Sequence, residues 1–206
     1  MGQGERTHDA EAARLSGVEI RVGPAGDLAG YASIPARFST DTIFSVSAEG
    51  PPFELIGQLL DAPLHKNYDE LESPHEWPAL FDVSRWAVMT ASIDNARVGH
   101  ALLARDTPGV DMLENRHDLL VVWDIRVHPR AQGMGVGRRL FRAIEDWGNA
   151  HGCIELKIET QNVNHAACRF YEAMGCVLAS ANRGAYPDLP DEVQLIWRKM
   201  LAPARD

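Results

Sequence analysis

One stretch constrains this chain more than any other: Val127–Arg138, VHPRAQGMGVGR, where Gly133, Gly135 and Gly137 fall at alternate positions. Before it stands Leu119–Val127 (LLVVWDIRV), a mostly apolar run of strand length suited to a sheet covered on both faces. After it, apolar residues recur at Val136, Leu140, Ile144 and Trp147, with Phe141 beside them. That is one face of an α-helix, which should stop around Gly148–Gly152. Pro129 ends the strand. Glycines let successive N–H groups turn toward one point with no side chains in the way, and a helix N-terminus adds partial positive charge there. The loop therefore suits a phosphate or diphosphate. Arg138 and Arg139 in the first turn oppose the helix dipole unless an anion sits in front of them. Taken alone, the same glycines equally serve a tight turn closing a βα unit. Two other phosphate loops are excluded by spacing. The dinucleotide fingerprint needs GxGxxG, and the P-loop needs Gly-Lys-Ser/Thr where this chain has Gly137-Arg138-Arg139.

The rest of the chain changes character near residue 83. Before it, Gly23-Pro24, Gly50-Pro51-Pro52, Pro63, Pro74 and Pro78 interrupt every candidate element. Val18, Ile20 and Val22 alternate as a first strand should, and Asp27 is placed to cap a short helix. Pro51 to Phe81 is expected to be a loop, either lying over a site or packed by its own Tyr68, Trp77 and Phe81. After it, Trp86–Ile93, Asp94-Asn95 and Arg97–Ala104 form a hairpin pattern, though the turn is not the preferred Asn-Gly. Ile154, Leu156 and Ile158 alternate with charges as a strand. Asn164 can cap a helix running to Met174 with Gly175 beyond its end, and Val177–Ala181 and Val193–Met200 supply the last strands. Strand, helix, strand, helix, strand is an α+β or α/β pattern with a mixed sheet. The expectation is a single domain over residues 1–206, with 1–17 flexible and 83–200 its recognisable core.

Composition narrows the class of partner. At 45% hydrophobic and 24% charged residues, the chain is an ordinary globular one. A net charge of −9 disfavours a polyanion, so no nucleic acid is expected, and a cationic small molecule suits it better. No apolar run approaches the ~18 residues of a membrane span. The opening residues are charged where a signal peptide is apolar, and Arg6 stands where myristoylation needs Ser or Thr. A cytoplasmic protein without membrane partners is the expectation. Cys153, Cys168 and Cys176 lack CxxC spacing and read as buried or free thiols. The eight histidines contain no pair at metal-ligand spacing, so no metal is expected.

Gln132-Gly133-Met134-Gly135-Val136-Gly137 resembles Q/R-x-x-G-x-G/A, the acetyl-CoA pyrophosphate loop of the GNAT N-acetyltransferase superfamily. Asn164-His-Ala-Ala167-Cys-Arg-Phe170-Tyr171-Glu-Ala-Met-Gly175 resembles the second motif of that family, N-x-x-A-x-x-F/L-Y-x-x-x-G. The two stand in the family's order, with one helix and one strand between. The wording from IETQNVNHAAC to NRGAYPDLPDEVQLIW, with KNYDE…WPALFDVSRW upstream, resembles the streptothricin acetyltransferase branch. The resemblance implies an α+β (α/β-like) GNAT fold, whose mostly antiparallel sheet of about six to seven strands is flanked by helices and splayed in the middle.

It further implies that strand Leu119–Val127 parts from strand Cys153–Thr160, with a bulge at Leu120–Trp123. The pantetheine arm of acetyl-CoA would pair with backbone groups of Ile125, Arg126 and Val127, while Gln132, Gly133, Met134, Gly135, Val136, Gly137 and Arg138 hold the pyrophosphate. Asn164 would touch the arm.

Acetyl transfer to an amine needs the ammonium, with a free pKa of about 10.4, to lose its proton, and it needs an acid for the leaving thiolate. Tyr171 stands at the family's general-acid position; a core tyrosine is the alternative. For the base, Glu159, Asp124 and a water chain to bulk remain open, and Asp124 has a structural alternative in pairing with Arg126. Asp69 and Glu192 fall in loops that the narrower resemblance puts near the acceptor, and the rings of Tyr68, Trp77 and Tyr186 suit an aliphatic stem or an ammonium; solvated surface is the alternative for each. The expected activity is acetylation of a primary amine of a small cationic substrate, streptothricin-like or lysine-like. A protein N-terminal or lysine acetyltransferase and a non-catalytic acetyl-CoA sensor are its rivals. The sequence leaves the oligomeric state open, and a homodimer is one assembly that the resemblance allows.

Overall fold

A computed structural model of the chain describes residues 17–26, 28, 30–47 and 50–202. The stretch expected to be flexible lies outside the described residues except for Gly17, as does Asp27. The segment behind Asp27 makes only a short turn at Tyr31–Ser33.

The strands are β1 (Val18–Pro24), β2 (Arg37–Val46), β3 (Leu55–Asn67), β4 (Ala87–Ile93), β5 (Ala96–Arg105), β6 (Leu119–Val127), β7 (Glu155–Gln161), β8 (Val177–Asn182) and β9 (Gln194–Met200). The helices are α1 (Trp77–Leu80), α2 (Val136–Ala150) and α3 (His165–Ala173). Seven strands form one sheet in the order β1-β4-β5-β6-β7-β9-β8, in which only β6 and β7 run parallel. This is the α+β architecture that the pattern implies.

Local chemistry explains most elements. Asp94 and Asn95 join β4 to β5 with φ of 49° and 62°, so both central residues are left-handed as a type I′ hairpin turn requires. Short polar side chains tolerate that region even without glycine. Helix α2 buries Val136, Leu140, Phe141 and Ile144 against the sheet. Each such side chain contributes about 1.5–3 kcal/mol on burial. Its end turns at Gly152, φ 77°. Helix α3 is capped by Asn164, whose Oδ1 accepts from the Ala167 N–H at 3.2 Å, and it stops before Gly175, φ 78°. Cys153, Cys168 and Cys176 are free and buried.

The expectation of a loop over Pro51–Phe81 is corrected: residues 55–67 are strand β3, paired antiparallel with β2 in a separate two-stranded sheet. Pro63 reads as a breaker in sequence. In the fold it falls in a bulge where residues 60–63 stand against Asp41, so its missing N–H removes no ladder bond. The hairpin is tied to the main sheet by buried Asn162. That side chain donates to the Phe44 carbonyl at 2.8 Å and accepts from the Val193 N–H at 2.7 Å.

Two irregularities shape the middle of the main sheet. β6 and β7 pair only from Leu119–Val122 to Glu155–Ile158; beyond this β6 pairs with β5 and β7 with β9. The sheet is therefore parted at its centre, as expected. A register shift between Leu102 and Leu103 leaves Trp123 as an extra residue on β6, within the stretch expected to bulge. Leu120 and Val122 pack in the α2-side core, yet Asp124 sits across from Leu102, which belongs to the opposite core. The bulge has switched the face of every later residue.

Candidate active site

Where β6 and β7 part, a cavity of about 1420 Å³ opens. Single-ligand pockets usually hold ~300–1,000 Å³, so this one has room for two substrates. It has two unlike halves.

The first half is main chain. Gly133 and Gly135 adopt φ of 73° and 83°, and Gly135 opens α2 as its N-cap. Nothing lies within 4 Å of where a Cβ on Gly133 would stand. Gly137 faces Phe170 of α3, whose ring would be 3.4 Å from an added Cβ. Gln132 reaches back, its Nε2 donating to the Val127 carbonyl at 3.3 Å, which fastens the loop to the end of β6. The loop thus leads into the positive end of a fifteen-residue helix.

The second half is side chains from distant segments. Glu159 on β7 accepts from the Tyr186 hydroxyl at 2.6 Å and from Gln194 Nε2 at 2.8 Å. Glu192, 2% exposed, accepts from the Tyr68 hydroxyl at 3.2 Å and is ion-paired with Lys66. Trp77 is buried, with its indole N–H donated to Glu72. Burial pushes the phenols of Tyr68 and Tyr186 above their ordinary value, helped by the facing Glu192 and Glu159 carboxylates.

Between the halves stand Tyr171 and Asp124. Tyr171, 5% exposed, packs on Phe141, Phe170 and Trp197, and burial raises its pKa, with Asp124 adding to the effect. It stays protonated at neutral pH. Asp124, brought to this face by the bulge, keeps 17% side-chain exposure, and Arg126 Nε donates to its Oδ2 at 2.5 Å. Burial pushes its pKa up to about 6, against the pull of Arg126.

The structure brings almost all the sequence candidates into this cavity: Ile125, Arg126, Val127, the run Gln132 to Arg138, Asn164, Asp124, Glu159, Tyr171, Tyr68, Trp77, Tyr186 and Glu192. Asp69 is the exception. It does not line the cavity; its Oδ1 accepts from Arg126 at 2.7 Å and its Oδ2 from the Ala36 N–H at 2.9 Å. Sequence reasoning missed Arg37, Phe38, Glu72, Trp123 and Gln161, which also line it. The alternation of Phe38, Thr40, Thr42, Phe44 and Val46 is the signal that would have found the first strand of the hairpin. Among the described residues no group of three or more side chains is placed to ligate a metal, and no helix is long and apolar enough to cross a membrane.

A glycine-opened helix facing a parted β6–β7 pair defines a class, and the sequence agrees. Residues 53–176 match the model of the Acetyltransferase (GNAT) family, to which this chain belongs; it is an acetyl-CoA-dependent N-acetyltransferase. It is 27% identical to streptothricin acetyltransferase of Streptomyces lavendulae over 176 residues, 84% of this chain and 89% of that protein. The crystal structure of nourseothricin acetyltransferase superposes with a TM-score of 0.70 at 25% identity, covering 91% of this chain and all of the other. A Bacillus anthracis str. Ames protein assigned as a streptothricin acetyltransferase, crystallised in complex with acetyl coenzyme A, gives 0.72 at 23% identity, covering 90% and 99%.

Proposed function

We propose that this enzyme acetylates a primary amine of a small cationic compound, a streptothricin-like antibiotic or a lysine-like amine, by direct attack of the amine on the thioester. One observation carries the reading: the acceptor half of the cavity is walled by Tyr68, Leu71, Glu72 and Trp77 and carries Glu72, Glu159 and Glu192 on its surface. A recess walled by aromatic rings and carboxylates suits a compact cation. A protein N-terminus or lysine side chain would need an open trough. The names of the relatives support the same acceptor class.

The residues present fit acetyl-CoA. The N–H-lined bend at Gly133–Gly135 suits the diphosphate, and the edge of β6 at Ile125–Val127, left without β7, suits the amide-bearing arm. Acetyl-CoA supplies an acyl group activated as a thioester. The chain supplies alignment and proton traffic. Asp124 takes the proton that the ammonium must lose, since a pKa near 6 leaves it ionised yet basic at neutral pH. Tyr171, held protonated, gives a proton to the departing sulfur. A β6 backbone N–H near Ile125–Val127 stabilises the oxyanion. Glu159, both oxygens already accepting hydrogen bonds, holds the cation rather than taking its proton. An acid and a base whose environments pull their proton affinities apart then flank the reacting atoms.

A screen of amine acceptors, following free thiol release from acetyl-CoA, tests this. Streptothricins, lysine and related small diamines should outpace peptides with free N-termini. Faster turnover of peptides would transfer the protein to the rival class. Cofactor binding with no turnover of any amine would favour the sensor.

A further inference from the structure

Arg126 is the hub of an ionic chain in which Asp124 alone takes part in a proposed proton transfer; Arg126 and Asp69 take part in none. Its side chain is 6% exposed and forks three ways: Nε donates to Asp124 Oδ2, while Nη1 donates to Asp69 Oδ1 at 2.7 Å and to the Ile34 carbonyl at 3.0 Å. Asp69 closes the chain by accepting from the Ala36 N–H. The Tyr31 ring packs beneath the guanidinium, 5.4 Å away, and His100 stacks on that ring at 3.7 Å. One side chain of β6 therefore holds both segments of the acceptor wall, around residues 34–38 and 68–72. As a means of stability alone the arrangement is poor. Two carboxylates share one guanidinium in a desolvated place, where apolar replacements often do as well or better.

We propose that Asp69 is a positioning residue: acting through Arg126, it holds the acceptor wall against β6 and aims the Asp124 carboxylate into the cavity. This deepens the proposed function and rests on its assignment of Asp124 as the base. Lysine could not replace Arg126, because a single ammonium lacks the planar fork that reaches two carboxylates at once. The groups facing Asp124 leave a simple electrostatic account. His100 on β5 is pushed down to about 3 by burial and is neutral. Tyr31 and Tyr171 are pushed up by burial and are neutral as well. Arg126 and Asp69 are then the charged neighbours that set its proton affinity, one lowering and one raising it. Neutralising Asp69 should make Asp124 more acidic.

The test is Asp69→Asn in the full chain. The acceptor is whichever amine gives fastest thiol release, and the Asp124 carboxyl carbon is titrated by NMR without substrates. The titration should have its midpoint near pH 6 in the parent and about one unit lower in the variant. Acceptor KM should rise about tenfold while the KM for acetyl-CoA stays within about twofold, since the glycine loop is untouched. Asp69→Glu, which keeps the charge on a longer arm, should return the midpoint but not the acceptor KM, separating positioning from a failure to fold. An unmoved midpoint and an unchanged acceptor KM in Asp69→Asn would overturn the inference and leave Asp124 as base. Full activity in Asp124→Asn would overturn both, and the two failures are told apart by that variant.

Discussion

The two halves of the cavity are built on opposite plans. The glycine half comes from one run of residues, Val127 to Arg138, and offers mostly main chain. The other half, proposed to take the acceptor, gathers Phe38, Tyr68, Glu72, Trp77, Glu159, Tyr186 and Glu192 from four distant parts of the chain and is lined by side chains. A backbone cradle is indifferent to side-chain identity except where a side chain would block it or a left-handed φ disfavours one, so it tolerates little at Gly133 and Gly135 and much elsewhere. A side-chain pocket is the reverse: each member can change, and each change alters what fits.

Substitutions can break that contrast at either end. The largest effect is expected from Gly135→Glu, which puts a bulky anion at a left-handed N-cap, φ 83°, in front of the helix end. Calorimetry should find acetyl-CoA binding abolished; unchanged affinity would move the diphosphate elsewhere. Next comes Asp124→Asn, with kcat about a thousandfold lower. The parent's kcat/KM should fall as the pH drops through about 6, because protonation there removes the base, and the variant should lack that limb. Tyr171→Phe should lower kcat about a hundredfold with acetyl-CoA affinity intact, and equal turnover across a pH series would return Tyr171 to the core. Glu192→Gln should act on the acceptor side alone. It breaks the ion pair with Lys66, raising acceptor KM about fivefold and leaving the KM for acetyl-CoA in place. The smallest effect is expected from Gly137→Ala. Its Cβ would meet Phe170 at 3.4 Å, and about 1 kcal/mol of helix propensity offsets that contact, so melting temperature and cofactor affinity should both change little.

Legibility in sequence follows the same divide. The strand before Pro129, the α2 face, the Asn164 cap and the alternating β7 are each encoded within a few residues, and each appears where the letters place it. Strand β3 is hidden in the letters because Pro63 looks like a break until the bulge around Asp41 shows that it costs no hydrogen bond. Asp69 reads as an acceptor-site acid because its neighbours are charged and aromatic. Its true partner, Arg126, stands 57 residues away and reaches it only after the wall folds over β6. Asp124 and Glu159 are indistinguishable as letters; burial of one and paired hydrogen bonds to the other separate them.

What the amino-acid order alone settled is the set of local decisions: where backbone must turn left-handed, which faces are apolar, which residues cap a helix. These depend on sterics and hydrogen bonds spanning about four residues, the same in any fold. What only the tertiary structure decided is which face Asp124 points to after the Trp123 bulge, which carboxylates share Arg126, and how strongly each holds its proton. Those depend on desolvation and on charges a few ångströms apart, quantities that do not exist until distant segments have met.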